Sequence, residues 1–302
     1  MNPGLACNWL LAQQQQIPAL QYAQYALMAT GGVLLLAVGI GAVRNHRPLV
    51  GGPDRRTHIP FEAVLIPPLV FFFVSSLTMV GVSAPGVGTR HTGGADAGRP
   101  VVATDSGQTV LITTTAMLAG ALAAYVVLRR YLGGETGGVF WIRGQAAGQM
   151  ADGVAAALIA LALCYGLLWV TIWIVQSFDP GFAPVEHQTL EAMHEANRPG
   201  WLMPVIWIGT CVVTPIGEEL FFRGLIQTTA LRITRRRWAA IAISAAVFGL
   251  AHARQPHVIA SIALFGVILG ILYERRAALA GPVIAHALFN ARTILWQVLA
   301  QS

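Results

Sequence analysis

The chain has 302 residues, 55% of them hydrophobic and only 11% charged, with a net charge of +6. Charged residues make up about a quarter of a soluble chain, so this composition excludes an ordinary soluble domain. Several apolar runs approach the ~20 residues that span a bilayer, and the basic residues, all Arg, cluster mostly between those runs, where membrane orientation explains them better than nucleic-acid binding does.

Eight spans are predicted, near residues 25–43, 61–82, 108–128, 151–176, 202–231, 238–253, 257–273 and 279–299. The fold class is therefore all-α, a polytopic transmembrane helical bundle. The sixth and seventh spans are short enough to be buried inside the bundle. The stretch before the first span, MNPGLACNWLLAQQQQ, has no basic region ahead of an apolar core and does not read as a cleaved signal peptide. Cys7, Cys164 and Cys211 form no C-x-x-C pair, so neither a disulfide framework nor a Cys-based zinc site is indicated.

Three regions follow in chain order. Residues 1–150 form an N-terminal region of three spans, with a Gly-rich loop at 83–107 and a linker at 133–150 into the fourth span. Residues 151–200 hold the fourth span and a segment at 184–200 expected to be a short interfacial helix. Residues 201–298 hold the last four spans. Arg44, Arg47, Arg55 and Arg56 follow the first span, Arg129, Arg130 and Arg143 the third, Arg232 and Arg235–Arg237 the fifth, and Arg275 and Arg276 the seventh. The alternate loops hold only Arg90, Arg99, Arg198 and Arg254. Positive-inside logic places the first set in the cytoplasm and both termini outside.

Three polar sets interrupt the last region. An ionisable side chain at a membrane helix centre costs about 2.5–3.5 kcal/mol on insertion scales, and such residues mark function. The first set is T-P-I-G-E-E-L-F-F-R-G at 214–224. Pro215 and Gly217 loosen or kink the helix ahead of the carboxylates. Glu219 and Arg223 are four apart and can pair, whereas Glu218 is rotated about 100° away and stays outside that pair, which makes it the candidate base. The second set is A-V-F-G-L-A-H at 246–252, with Phe248 and His252 on one face. Taken alone, a His on an apolar helix is more often a satisfied interior group than a catalytic one; His257, past Pro256, reads as loop. The third set is A-H-A-L-F-N at 285–290, with His286 and Asn290 on one face. Imidazole and amide N–H groups side by side can hold an oxyanion, or form an interhelical hydrogen-bond pair.

Depth connects the sets. At ~1.5 Å per residue, Glu218 lies roughly 21–25 Å from the basic end of its span, His252 about 21 Å along the sixth span, and His286 and Asn290 about 10 and 17 Å along the eighth. All fall within the bilayer. Between them, Gly266 and Gly270 form a G-x-x-x-G that permits close helix approach and is expected to hold spans six and eight together.

These residues resemble the CPBP intramembrane proteases (the Abi family), a group that includes prenyl-protein CaaX endopeptidases and bacteriocin-processing or immunity proteins. Its E-E-x-x-x-R, F-x-x-x-H and H-x-x-x-N motifs are matched in order by Glu218-Glu219…Arg223, Phe248…His252 and His286…Asn290. The resemblance covers about residues 201–298. It implies a glutamate-dependent membrane endopeptidase with its active site buried among the last four spans. In that scheme Glu218 and His252 activate a water, His286 and Asn290 hold the oxyanion, and Glu219, Arg223 and Phe248 give support. No cofactor or metal is implied. The expected partners are the lipid bilayer and a membrane-embedded or lipid-anchored protein or peptide substrate, with no nucleic acid, in what is expected to be a bacterial cell membrane.

Three other readings use the same residues. His252, His286 and Glu218 could bind zinc, although no H-E-x-x-H occurs. Intramembrane Glu, His and Arg could relay protons in a transporter, although no inverted repeat is visible. A catalytically silent membrane partner is the third, although such proteins usually lack one of the catalytic groups.

Overall fold

A computed structural model describes residues 18–44, 60, 62–82, 106–131, 145–185, 189–190, 193 and 200–300. Among these residues there are eight helices of 14 residues or more and no strand. They are α1 (Pro18–Arg44), α2 (Glu62–Val82), α3 (Ser106–Tyr131), α4 (Ala146–Phe178), α5 (Leu202–Thr234), α6 (Arg237–Leu250), α7 (Ile259–Arg276) and α8 (Ala280–Ala300). Each coincides with one predicted span. In a bilayer the backbone must satisfy its own hydrogen bonds, and helices do so within one segment.

Six helices are long and apolar enough to cross a membrane: α1 to α5, and α7 with the turn that leads into it. The protein is a multi-pass membrane protein. At 14 residues, α6 is too short to cross alone. Its expected burial is corrected, because Ile243, Val247 and Leu250 form an exposed apolar face. Polar residues explain why α8 falls outside the six: it carries His286, Asn290, Arg292 and Gln297.

Packing is sequential at the periphery and mixed at the centre. Helix α2 lies on α3, and α1 lies on α4. Both outer helices turn large apolar side chains outward, among them Tyr22, Leu36, Phe72, Phe73 and Val80. A soluble protein rarely exposes so much apolar surface, whereas lipid is its natural solvent. Helix α5 runs through the middle against α3, α6 and α8, while α4 backs α7 and α8. Leu128, Leu220, Leu225, Phe248, Phe265 and Leu269 form the heart of the core.

The role expected for the glycine pair is also corrected. Gly266 and Gly270 bring α7 onto α6 and α5, not α6 onto α8. A Cβ on Gly266 would lie 2.9 Å from Ala245 Cα in α6, and one on Gly270 would lie 2.8 Å from Gln227 Oε1 in α5. Gly249 of α6 meets Ala263 of α7 in the same way.

The Arg-bearing helix ends gather on one side. Arg276 at the end of α7 donates from Nε to Asp152 Oδ2 at 2.7 Å and from Nη1 to Gln145 Oε1 at 2.9 Å, both near the start of α4. Arg237 at the start of α6 lies 3.8 Å from Glu274 of α7. Helix α4 begins inside the expected linker, at Ala146, and α3 begins at Ser106, inside the expected Gly-rich loop. Residues 83–105 and 132–144, and most of the expected interfacial segment 184–200, lie outside the described residues, as do Cys7 and the N-terminal stretch. Within that segment Met193 is buried against Leu202, Ile206 and Ile294.

Candidate active site

The backbone of α5 sets the site. Pro215 cannot donate a backbone hydrogen bond. The helix answers with a π stretch at Gly209–Val213, a short α stretch at Thr214–Glu219, then a second π stretch at Leu220–Gln227. Single π turns inside α-helices are frequent at functional sites. The expected loosening near Pro215 and Gly217 thus takes the form of changed register rather than a break.

Register decides what the freed carbonyls do. The Thr214 N–H bonds Gly209 O, five residues back, and Pro215 has no N–H, so Thr210 O has neither of its usual backbone donors. Asn290 Nδ2 donates to it from α8 at 2.9 Å. In the second π stretch, Ser244 Oγ of α6 donates to Phe222 O at 2.8 Å and Thr228 Oγ1 donates to Arg223 O at 2.9 Å. Side chains close the gaps that the π register opens.

Glu219 and Arg223 pair as their spacing predicts, with Arg223 Nη1 donating to Glu219 Oε1 at 2.9 Å and both side chains fully buried. Arg223 Nη2 also donates to Gly266 O at 3.2 Å, and its guanidinium carbon lies 4.7 Å from the Phe248 ring centroid. Such a contact adds a cation–π attraction.

His286 joins this pair to Glu218. Its Nδ1 lies 2.9 Å from Glu219 Oε1 and its Nε2 lies 3.5 Å from Glu218 Oε2. Since Glu219 Oε1 already accepts from Arg223, His286 Nδ1 is the donor. Glu219 therefore serves His286 as well as Arg223, and Glu218 has the same imidazole beside it. Glu218 is outside the Arg223 pair, as expected, and its side chain keeps 14% exposure where that of Glu219 keeps none.

His252 lies just past the helix that was expected to hold it. Helix α6 ends at Leu250, and His252 lies in the turn that follows. Its ring still packs on Phe248, at 5.4 Å between centroids, and its Nδ1 lies 3.0 Å from Phe248 O. A carbonyl oxygen only accepts, so Nδ1 carries the proton and, in the neutral ring, Nε2 carries the lone pair. Phe248 touches His252, His286 and Arg223 together, with 5.8 Å between its ring and that of His286. His257 lies in a short 3₁₀ turn at Pro256–Val258 and is buried, contrary to its expected place in a loop.

Glu218, His252, His286 and Asn290 border one cavity of about 370 Å³. Phe248, Phe265 and Phe289 form an apolar wall, and Thr113, Thr114, Thr210, Thr214 and Thr293 add hydroxyls. Glu219 and Arg223 lie behind this lining. Among the described residues, no group of three His, Cys, Asp or Glu side chains is placed to hold a metal ion.

Two features escaped the sequence reading. Behind Arg223, Gln227 Nε2 donates to Gly270 O at 3.1 Å and to Glu274 Oε1 at 2.9 Å. The signal was present: Glu219, Arg223 and Gln227 repeat every four residues on α5, as Gly266, Gly270 and Glu274 do on α7. Beside the site, Arg292 donates to the Tyr165 hydroxyl and lies between the rings of Tyr165 and Trp296, at 4.2 and 4.3 Å from their centroids. Here the signal was an arginine inside an apolar helix, two residues past Asn290.

Residues 200–292 match the model of the family described as type II CAAX prenyl endopeptidase, Rce1-like. This bears out the resemblance carried by the three motifs, and the matched segment is of the CAAX-type membrane protease kind. The match spans α5 to α7 and most of α8. No curated protein and no solved structure gives a significant match.

Proposed function

We propose that the protein is an intramembrane endopeptidase that hydrolyses a peptide bond with a water activated by Glu218 and His252. The observation that carries this reading is the convergence of Glu218, His252, His286 and Asn290, from two separate helices and a turn, on one cavity inside an apolar bundle. Residues 201–298 act as the catalytic core, and residues 1–150 and 151–200 enclose and anchor it in a bacterial cell membrane. The substrate is a membrane-embedded or lipid-anchored protein or peptide; prenylated CAAX proteins are the class that the family's description names.

The chemistry follows from which atoms have protons to give. The water gives a proton to Glu218 and bonds through its oxygen to the scissile carbonyl carbon, while His252 Nε2 accepts its other hydrogen as a hydrogen bond and orients it. Asn290 has a second N–H besides the one that Thr210 O takes, and this bonds the developing oxyanion. His286 gives Nδ1–H to Glu219, so Nε2 donates only when the ring carries both protons. The site lies in a low-dielectric interior. Donors fixed in advance around an oxyanion are worth far more there than in water. Collapse of the tetrahedral intermediate returns the proton from Glu218 to the leaving amine, so that one water is added across the C–N bond.

This route calls on no metal ion. The zinc alternative needs His252, His286 and Glu218 to converge on one ion, and chelation separates the two. The defining experiment compares membrane proteomes of wild type and Glu218→Ala, with His252→Ala and His286→Ala beside it. An uncleaved precursor that accumulates in all three supports the reading. Wild-type processing by Glu218→Ala sinks it.

A further inference from the structure

We propose that the cavity is served from the membrane face opposite the Arg-rich helix ends, so that the segment cleaved is one displayed on the non-cytoplasmic side. The word "cleaved" rests on the protease reading above; the face of access does not.

Three observations converge. First, the lining runs from mid-helix toward the ends away from the arginines, and α8 reaches it from His286 to Ile294. Thr114 is near the start of α3, which ends in Arg129, Arg130 and Tyr131; Thr214 and Glu218 precede the second π stretch of α5, whose basic end is Arg232 and Arg235–Arg237. His252 and Gln255 lie in the turn from α6 to α7, whose other ends hold Arg237, Arg275 and Arg276. Thr293 lies in the second half of α8, the helix that follows Arg275 and Arg276.

Second, burial closes the other route. From Glu218, at 14% exposure, the α5–α7 interface passes to Glu219, Arg223, Gln227 and Glu274, none with measurable exposure. The bonds from Arg223 to Gly266 O and from Gln227 to Gly270 O and Glu274 tie the two helices together. From Gly266 to Glu274 is eight residues, or ~12 Å of closed interface. Phe222, Leu225 and Leu269, all buried, belong to the same core cluster.

Third, the Arg distribution sets the orientation. Among the described residues, Arg44, Arg129, Arg130, Arg232, Arg235–Arg237, Arg275 and Arg276 lie at helix ends and turns on the closed side, and Arg254 lies in the turn on the cavity side. Lys and Arg in short loops near span ends mark the cytoplasmic face. The cavity end is therefore non-cytoplasmic, and a lipid-anchored tail on the cytoplasmic leaflet would meet the closed end of the bundle.

Thiol labelling tests this without any need for activity. Cys7 is replaced, while Cys164 and Cys211 are buried and supply the background. Single cysteines are placed at Thr114→Cys in the cavity, at Arg254→Cys in the α6–α7 turn, and at Arg236→Cys in the exposed α5–α6 turn. A membrane-impermeant maleimide is added to sealed right-side-out and inverted vesicles. The proposal requires Thr114→Cys and Arg254→Cys to react in right-side-out vesicles only, and Arg236→Cys in inverted vesicles only. Reaction of Thr114→Cys from the inverted side overturns it, as does a Thr114→Cys thiol that reacts from neither side in a protein whose Arg254→Cys variant labels. Precursors that accumulate with Glu218→Ala should be trimmed by protease added to intact spheroplasts; precursors whose extra segment is cytoplasmic also overturn it. If no precursor accumulates, the protease reading fails and labelling still decides the face.

Discussion

Arg223→Met tests the central array most directly, because Met fills similar space without charge. In the native bundle Arg223 gives hydrogen bonds to Glu219 Oε1 at 2.9 Å and to Gly266 O at 3.2 Å, fully out of solvent. Removing it leaves the Glu219 carboxylate, among the described residues, with the His286 ring alone within ion-pair distance. Breaking a buried pair costs about 3–5 kcal/mol, because the surviving charge is uncompensated. At ~1.4 kcal/mol per decade, that is roughly two to three and a half decades in the unfolding constant. Adding Glu219→Gln removes the stranded charge and keeps an acceptor for His286 Nδ1. The double variant then lacks chiefly the extra bond to Gly266 O, whose helical partner remains, a loss of about 1.5–3 kcal/mol for a charged donor, and regains about 2 kcal/mol over the single. The assay is reversible unfolding in mixed micelles with increasing SDS, followed by the fluorescence of the eight tryptophans. A single-variant cost below about 1 kcal/mol, as for an exposed pair, would refute the reasoning. So would a double variant no more stable than Arg223→Met.

Glu218→Ala, outside the Arg223 pair and next to the cavity, is expected to abolish cleavage of a membrane substrate while shifting stability by less than about 1 kcal/mol in the same unfolding assay; equal loss of both would make Glu218 structural. For Asn290→Ala, turnover is expected to fall by roughly 10²–10³, as for loss of one oxyanion donor, with KM little changed; a rise in KM at constant kcat would remove Asn290 from the oxyanion. Gly266→Ala places a methyl 2.9 Å from Ala245 Cα and should destabilise by about 1–3 kcal/mol, as overpacking does, read as a lower Tm in detergent. Treatment of the purified protein with a strong zinc chelator should leave the cleavage rate unchanged; a loss that added zinc restores would replace the water mechanism with a metal one.

Much of this was legible in one dimension. Span lengths follow from hydropathy, because bilayer thickness sets the apolar length, and all eight predicted spans correspond to helices. The Glu219–Arg223 pair follows from four-residue spacing, and the Phe248–His252 stacking survives the end of α6 because its turn continues the chain locally. The Arg asymmetry reads directly from the loops. These are properties of a segment and its immediate neighbours, and the sequence by itself determined them.

Other properties depend on how helices are rotated against one another, which spacing along one chain does not contain. His286 meets Glu219 across 67 positions, and no count on α8 alone says whether it faces the carboxylates or lipid. Asn290 meets Thr210 O only because Pro215 drives α5 into π register and strands that carbonyl. Gly266 and Gly270 allow a close approach in any bundle; tertiary packing chose α6 and α5 as the partners. The sequence supplied the polar groups and their depth. The tertiary structure decided that one imidazole bridges two carboxylates and that the cavity lies at the end away from the arginines, because interhelical contacts fix rotation and burial together.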